Sequence, residues 1–410
     1  MTQPHIDADR LWASLMEMAR IGPGVAGGNN RLAFSPEDDA ARALFKEWCR
    51  AAGLAVAADR FGNIFVTRPG TEDLPPVLVG SHLDTQPTGG RFDGVLGVLA
   101  GLEAIRAMNE AGIRTRHPVV LVNWTNEEGA IIRPMMGSEV FTGALPLERA
   151  LAMIDHRGLR LGDMLAAMEH GAGDMEIGFP VHAYLELHIE QGPILEDEGI
   201  DIGVVTHGQG LWWLQVTLTG KEAHTGSTPM PKRRNAGLGM ARITELVHEV
   251  AMDYQPDAVG AIGHMEVYPN SRNVIPGRVV FTIDIRSPNE EVLNEMRARI
   301  EDGIATICEA LDIGFAVEAV GHFAPVTFDE GCVKAIRDAA ERLGYSHRDI
   351  VSGAGHDACW INRVAPTAMV MCPCVDGLSH NEAEEISKEW AGAGADVLFH
   401  AVVETAEIVE

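Results

Sequence analysis

The chain is short of basic residues, short of cysteine and without a long apolar run, and each shortage removes a class of function. Only 32 Lys and Arg stand against 59 Asp and Glu, a formal net charge of -27. No basic stretch offsets that field, so nucleic acid and anionic membrane surfaces are excluded as partners. A small anionic substrate is repelled in bulk as well and needs a local cationic clamp. Six cysteines, at positions 49, 308, 332, 359, 372 and 374, are too few and too irregular for a disulfide framework or a zinc-finger spacing, so buried, reduced thiols are expected, the pair in Cys372-Pro373-Cys374 included. No apolar run reaches membrane-spanning length, and the start, MTQPHIDADRLW, lacks a basic segment followed by an apolar core. A soluble cytoplasmic protein is the expectation.

With 410 residues, 46% hydrophobic and 22% charged, the chain is an ordinary globular sequence too long for one core, and two domains are expected. Leu11, Leu15 and Met18 mark an amphipathic helix over 7–19. Ser35-Pro36-Glu37-Asp38 is a helix start with a capping hydroxyl, and Gly53 ends that helix. Residues 54–58 and 63–67 flank a turn as a hairpin. Between 212 and 320 the pattern becomes strand, helix (231–250), strand, strand, helix (288–310), strand. This split βαββαβ order belongs to an antiparallel sheet with both helices on one face, a ferredoxin-like α+β insertion over 213–326. The remainder, 1–212 and 327–410, forms an α/β domain. Its later elements are a helix over 331–343, a strand over 365–371 and a closing helix over 391–408.

The chemistry centres on Val77 to Glu128. Two apolar runs, 77–80 and 119–124, predict buried parallel strands with a helix over 94–111 between them, a βαβ unit. His82 and Asp84 follow the first strand, Asp93 precedes the helix, and Glu127 and Glu128 follow the second strand. Carboxyl ends of strands are where open α/β sheets bind ligands. Imidazole and carboxylate gathered there are the ligand types of a hydrolytic two-metal site, with Asp93 as the bridging carboxylate. Asp84 is placed to accept the proton on the second nitrogen of His82, and Glu127, beside a ligating Glu128, to act as general base. A further apolar strand ends in His188 and Glu190.

In order along the chain stand GSHLDT, RFDG, NEEG, HIEQGP, GKEAHTGSTPM, RNVIPG, DIRS, SGAGHDA and DGLSHNE. This series resembles the amidase/hydantoinase/carbamoylase branch of the aminoacylase-type dinuclear metallopeptidases. The branch holds N-carbamoyl-L-amino-acid hydrolases, β-ureidopropionases and allantoate amidohydrolases. The resemblance implies two divalent ions (Zn, Mn, Co or Ni) per subunit in a mixed-sheet catalytic domain. One is held by His82, Asp93 and His188, the other by Asp93, Glu128 and His380, with Glu127 as base. It implies a homodimer in which the insertion is the dimerisation lid. His224, Asn273 and Arg286 contact a small anionic ureido substrate, and His224 reaches into the partner's site. Arg286 supplies the planar fork for a carboxylate, Gln191 binds the ureido group, and Gly355, His356 and Asp357 shape the pocket. The implied reaction is hydrolysis of the carbamoyl C–N bond of N-carbamoyl-L-amino acids or N-carbamoyl-β-alanine, with allantoate as the alternative substrate. A dipeptidase or a non-catalytic binding module is the more distant reading. The chain departs from the pattern at Ala130-Ile131-Ile132-Arg133-Pro134, where relatives carry an Arg-Phe-Pro-Pro type of sequence.

Overall fold

The computed structural model describes residues 4–409. The chain divides into two compact units, one made of the residues up to Thr206 and those from Phe328 onward, the other of His207–Thr327.

The first unit is built on a mixed sheet. Val77–His82 and Val119–Trp124 run parallel, in register from Val77 opposite Val119 to His82 opposite Trp124, and the helix Val95–Glu110 connects them. Every residue of both strands is buried, as strands covered on two faces require. Ala183–Ile189 lies parallel on the other side of Val77–His82, and Thr367–Cys372 lies parallel beyond it, with Met371 opposite His188. Ile202–Gly208 continues the sheet antiparallel, and the hairpin Ala55–Ala58 with Ile64–Arg68 adds through Ile64–Arg68 beside Val119–Trp124. The connecting helix is apolar nearly all round and sinks onto the sheet. A Cβ at Gly97 would stand 2.3 Å from the Leu187 carbonyl oxygen, so glycine permits that depth. Each fully buried Leu or Val contributes about 1.5–3 kcal/mol relative to exposure.

The helix Pro36–Ala51 starts where its sequence says, with Ser35 Oγ accepting the Asp38 N–H at 3.1 Å. One turn in, the Arg42 guanidinium is wholly buried. It donates to Asp38 Oδ1 (2.8 Å), to the Gly62 carbonyl (2.7 Å) and to Thr125 Oγ1 (3.0 Å), tying helix and hairpin to the end of a central strand.

In the second unit, four antiparallel strands stand in the order Gly314–Phe323, Gly210–Thr219, Arg278–Ser287, Val259–Tyr268. The helices Ala236–Met252 and Glu290–Ala310 cover one face over a core that includes Val216, Phe281, Ile283, Ile243 and Ile300. The unit opens at His207, ahead of the boundary drawn at 213, because the strand Ile202–Gly208 runs almost directly into Gly210–Thr219. Its first helix starts at Ala236, not at Pro231. Asn235 Oδ1 accepts the N–H groups of Gly237 and Leu238, and Met230–Lys232 is only a 3-10 turn. Among the described residues all six cysteines are buried and free, and no helix is long and apolar enough to cross a membrane.

Candidate metal centre

Three parallel strands deliver the centre at one edge of the first unit's sheet. His82 is the last residue of its strand and is buried. Its Nδ1 lies 2.9 Å from the backbone carbonyl of Asp84, which can only accept, so the proton sits on Nδ1 and the Nε2 lone pair faces inward. His188 is set the same way by the Ile189 carbonyl at 2.9 Å. Both Nε2 atoms converge on one oxygen of Asp93, at 3.6 Å from His82 and 3.1 Å from His188. The other Asp93 oxygen faces His380 Nε2 at 3.6 Å, and His380 also meets Glu128 Oε2 at 3.2 Å. Two triads result, His82/Asp93/His188 and Asp93/Glu128/His380, each with donor atoms within 4.8 Å of one another, and Asp93 belongs to both.

Local backbone makes this convergence possible. Gly94 (φ 67) separates Asp93 from its helix, and a Cβ there would stand 2.3 Å from the His82 ring. Asn126 (φ 58) turns the chain left-handed after Val119–Trp124, a conformation Asn tolerates, and swings Glu127 and Glu128 over the strand ends. His380 is also left-handed, at φ 53, and is the exposed member of its triad.

Asp84 does something other than expected. Its carboxylate stands 3.9 Å from His82 Nδ1 and instead accepts the backbone N–H groups of Glu127 (3.3 Å) and Glu128 (3.2 Å). His82 is oriented by the Asp84 carbonyl, while the side chain holds the loop that carries the two glutamates. Glu127 belongs to neither triad, and its Oε2 reaches 3.5 Å from His82 Nε2. Glu190 is turned away, accepting the N–H groups of Ile194 and Leu195 at 2.8 Å each.

Gln191 lies at the centre, with Nε2 donating to Asp93 Oδ2 (2.8 Å) and Ser379 Oγ (3.1 Å). Ser379 Oγ donates to the same Asp93 oxygen at 2.7 Å. Glu384, unnoticed in the sequence, is buried, and its Oε1 accepts the N–H groups of Phe92 and Asp93 at 3.0 and 3.1 Å. It stands among Glu382 and Glu385 in a loop rich in acids, where spacing ranks none above the others. His356 is buried behind His188, ring centroids 4.5 Å apart, and its Nε2 is engaged by Ser352 Oγ at 2.8 Å. Asp357 accepts from Ser138 Oγ at 2.5 Å. A Cβ on Gly355 would stand 2.9 Å from Met135 Cε. Arg133, in the divergent segment, pairs with buried Glu139 at 2.5 Å.

The three remaining residues lie in the second unit. His224 pairs with Val274 across a two-residue ladder, and its Nδ1 accepts the N–H groups of Gly226 and Ser227. The Thr225 N–H donates to the Asn273 carbonyl, which keeps Asn273 beside it. Arg286, on its own strand, is forked onto Asp284 at 2.8 Å.

The electrostatics call for positive charge. Burial works against a proton on His82, yet Glu127, Asp93, Asp84 and Glu128 outweigh it and hold the imidazole well above its ordinary range. The Glu128 bond, against partial burial, raises His380 to about 9. Burial opposes ionised Asp93, but His188 and His82 hold it well below the usual carboxylate range. Burial, reinforced by Asp357, Glu128 and Asp84, pushes Glu127 well above that range. Glu128 Oε1 is buried without a hydrogen-bond partner. Imidazole and carboxylate donors, one orphaned oxygen and an excess of acids fit divalent ions of the Zn, Mn, Co or Ni type.

The model of Peptidase family M20/M25/M40 matches residues 78–404. An N-carbamoyl-L-amino-acid amidohydrolase of Rhizobium meliloti is 64% identical over 409 residues, covering 99% of this chain and 98% of the relative. An N-carbamoyl-L-amino acid amidohydrolase of Geobacillus stearothermophilus is 39% identical over 408 residues, covering 98% and 99%. Among solved structures, an amidase of the hydantoinase/carbamoylase family from Burkholderia multivorans is similar with a TM-score of 0.95 at 52% identity, over 98% of each chain.

Proposed function

The chain belongs to peptidase family M20/M25/M40, and on that premise we propose that it hydrolyses the carbamoyl C–N bond of N-carbamoyl-L-amino acids. The observation that carries this reading is the Asp93 carboxylate, whose two oxygens face two separate triads while Glu127 stands free beside them.

His82, Asp93 and His188 would hold one divalent ion, and Asp93, Glu128 and His380 a second. Such a pair would supply Lewis acidity toward the carbamoyl oxygen and would lower the pKa of a water beside it. Glu127 takes a proton from the attacking water and returns it to the departing amine nitrogen. The Asp84 carboxylate keeps Glu127 in place by accepting its backbone N–H, and Gln191 and Ser379 orient Asp93 by donating to the oxygen that faces His380. Water adds to the carbamoyl carbon, the C–N bond to the amino acid breaks, and the released carbamate decomposes to ammonia and carbon dioxide. Arg286 receives the substrate carboxylate, with Asn273 and His224 as further contacts. The inserted unit serves as a dimerisation lid, so His224 acts in the partner's site.

Ammonia release measured on N-carbamoyl-L-amino acids, N-carbamoyl-β-alanine and allantoate, set beside chromatographic detection of free amino acids released from a dipeptide, tests the proposal. The highest kcat/KM is expected on an N-carbamoyl-L-amino acid. A preference for allantoate moves the substrate within the ureido class, and cleavage of the dipeptide without ureido turnover overturns the reading.

A further inference from the structure

At the opposite edge of the same sheet, where the parallel strands begin, a second set of metal-competent side chains gathers. His117 precedes the strand Val119–Trp124 and His182 precedes Ala183–Ile189, and Glu407 follows the last helix, Lys388–Thr405. The two imidazoles stack with centroids 3.8 Å apart and planes 23° from parallel. Donor atoms of His117, His182 and Glu407 all lie within 4.8 Å of one another.

Neighbouring backbone fixes the His117 ring and the main chain of His182 and Glu407. His117 Nδ1 lies 2.7 Å from the Pro75 carbonyl, so it carries the proton, and Nε2 turns its lone pair toward Glu407 Oε1 at 3.9 Å. A backbone carbonyl on the far nitrogen is how ligating histidines are commonly fixed. The His182 N–H donates to the Pro76 carbonyl at 2.8 Å. Glu407 is pinned by the Arg116 N–H on its carbonyl (2.8 Å), and the Arg116 guanidinium takes its Oε2, which leaves Oε1 facing the imidazoles. Burial, with His117 adding to it, keeps His182 below the ordinary imidazole range.

We propose that His117, His182 and Glu407 form a further divalent-cation site, separate from the catalytic pair. Two imidazoles with one carboxylate favour a borderline cation such as Zn2+ over Mg2+ or Ca2+, which prefer oxygen donors. An ion there clamps the C-terminal segment, already bonded from Val409 N–H to the Arg114 carbonyl and from Arg116 N–H to Glu407, onto the starts of the central strands. Binding to the folded chain alone raises its stability by mass action. The buried thiols do not compete, since burial pushes Cys374 and Cys359, for example, up to about 12.

The test is equilibrium dialysis of the metal-loaded enzyme against Zn2+, comparing wild type with His182→Gln and Glu407→Gln. His182 is half-buried and Glu407 exposed, both outside the catalytic centre, so turnover is retained. Wild type is expected to take up one Zn2+ per chain more than either variant, and added Zn2+ to raise its Tm more than theirs. Bound Cu2+ used as a probe is expected to show nitrogen hyperfine coupling that His182→Gln reduces. Equal Zn2+ uptake by wild type and either variant, or no uptake beyond the catalytic pair, overturns the proposal.

Discussion

Glu127→Gln separates the base from the ligands. The side chain is buried, lies 3.5 Å from His82 Nε2 and belongs to neither triad. Its backbone is fixed independently, by the N–H on Asp84 and by the Met135 N–H on its carbonyl at 2.7 Å. Glutamine has the same shape and keeps those bonds, so the frame and both triads should survive. What the amide cannot do is accept a proton from water and pass it to nitrogen. Loss of a positioned general base costs roughly 10²–10⁴-fold in rate, which at 1.36 kcal/mol per decade is about 2.7–5.4 kcal/mol of transition-state stabilisation. Steady-state turnover of an N-carbamoyl amino acid, paired with elemental analysis of bound metal, is the assay. The expected result is a kcat lower by that factor, with KM and metal content close to wild type. A variant with near-normal kcat refutes the role of Glu127, and one that loses metal makes Glu127 a ligand instead of a base.

Glu384→Ala strips the acceptor from the Phe92 and Asp93 N–H groups. The expected cost is about 1–3 kcal/mol in urea unfolding, with metal affinity down roughly 10–100-fold. Glu384→Gln, which keeps an oxygen, should be milder, and equal effects of the two would contradict the assignment. Asp59 accepts the Phe61 and Asn63 N–H groups and the Asn63 amide, yet burial outweighs those bonds and pushes it up to about 6. Its unfolded value is about 3.9, so the folded chain holds the proton more tightly and stability falls as pH rises from about 4 to about 6. Asp59→Asn should flatten that part of the urea-midpoint profile, and an unchanged slope would assign it to other groups.

The catalytic edge was legible because buried parallel strands are nearly continuous apolar runs, so His82 and Glu127-Glu128 announce themselves as the first titratable residues after them. The second unit's order of elements was equally plain, since two long helices interrupt four strands. Backbone chemistry was not legible. Nothing in the spacing shows that His82 is oriented by the Asp84 carbonyl while the carboxylate bonds two N–H groups. The proline at 231 attracted a helix start that Asn235 makes five residues later in space and sequence, because its side chain satisfies two N–H groups and Pro231 satisfies none. The strand His347–Ser352 escaped notice because only Ile350 and Ser352 are buried, and an edge strand with polar positions leaves no alternation to read.

Metal stoichiometry of Asp93→Ala, set beside wild type, tests the shared carboxylate most directly. With the His117/His182/Glu407 cluster removed from both by His182→Gln, two tightly bound ions per chain are expected in the parent. Both should be lost in the Asp93 variant, since each triad keeps only two of its three donors. A variant that retains two tightly bound ions, or loses only one, would contradict a centre organised around Asp93.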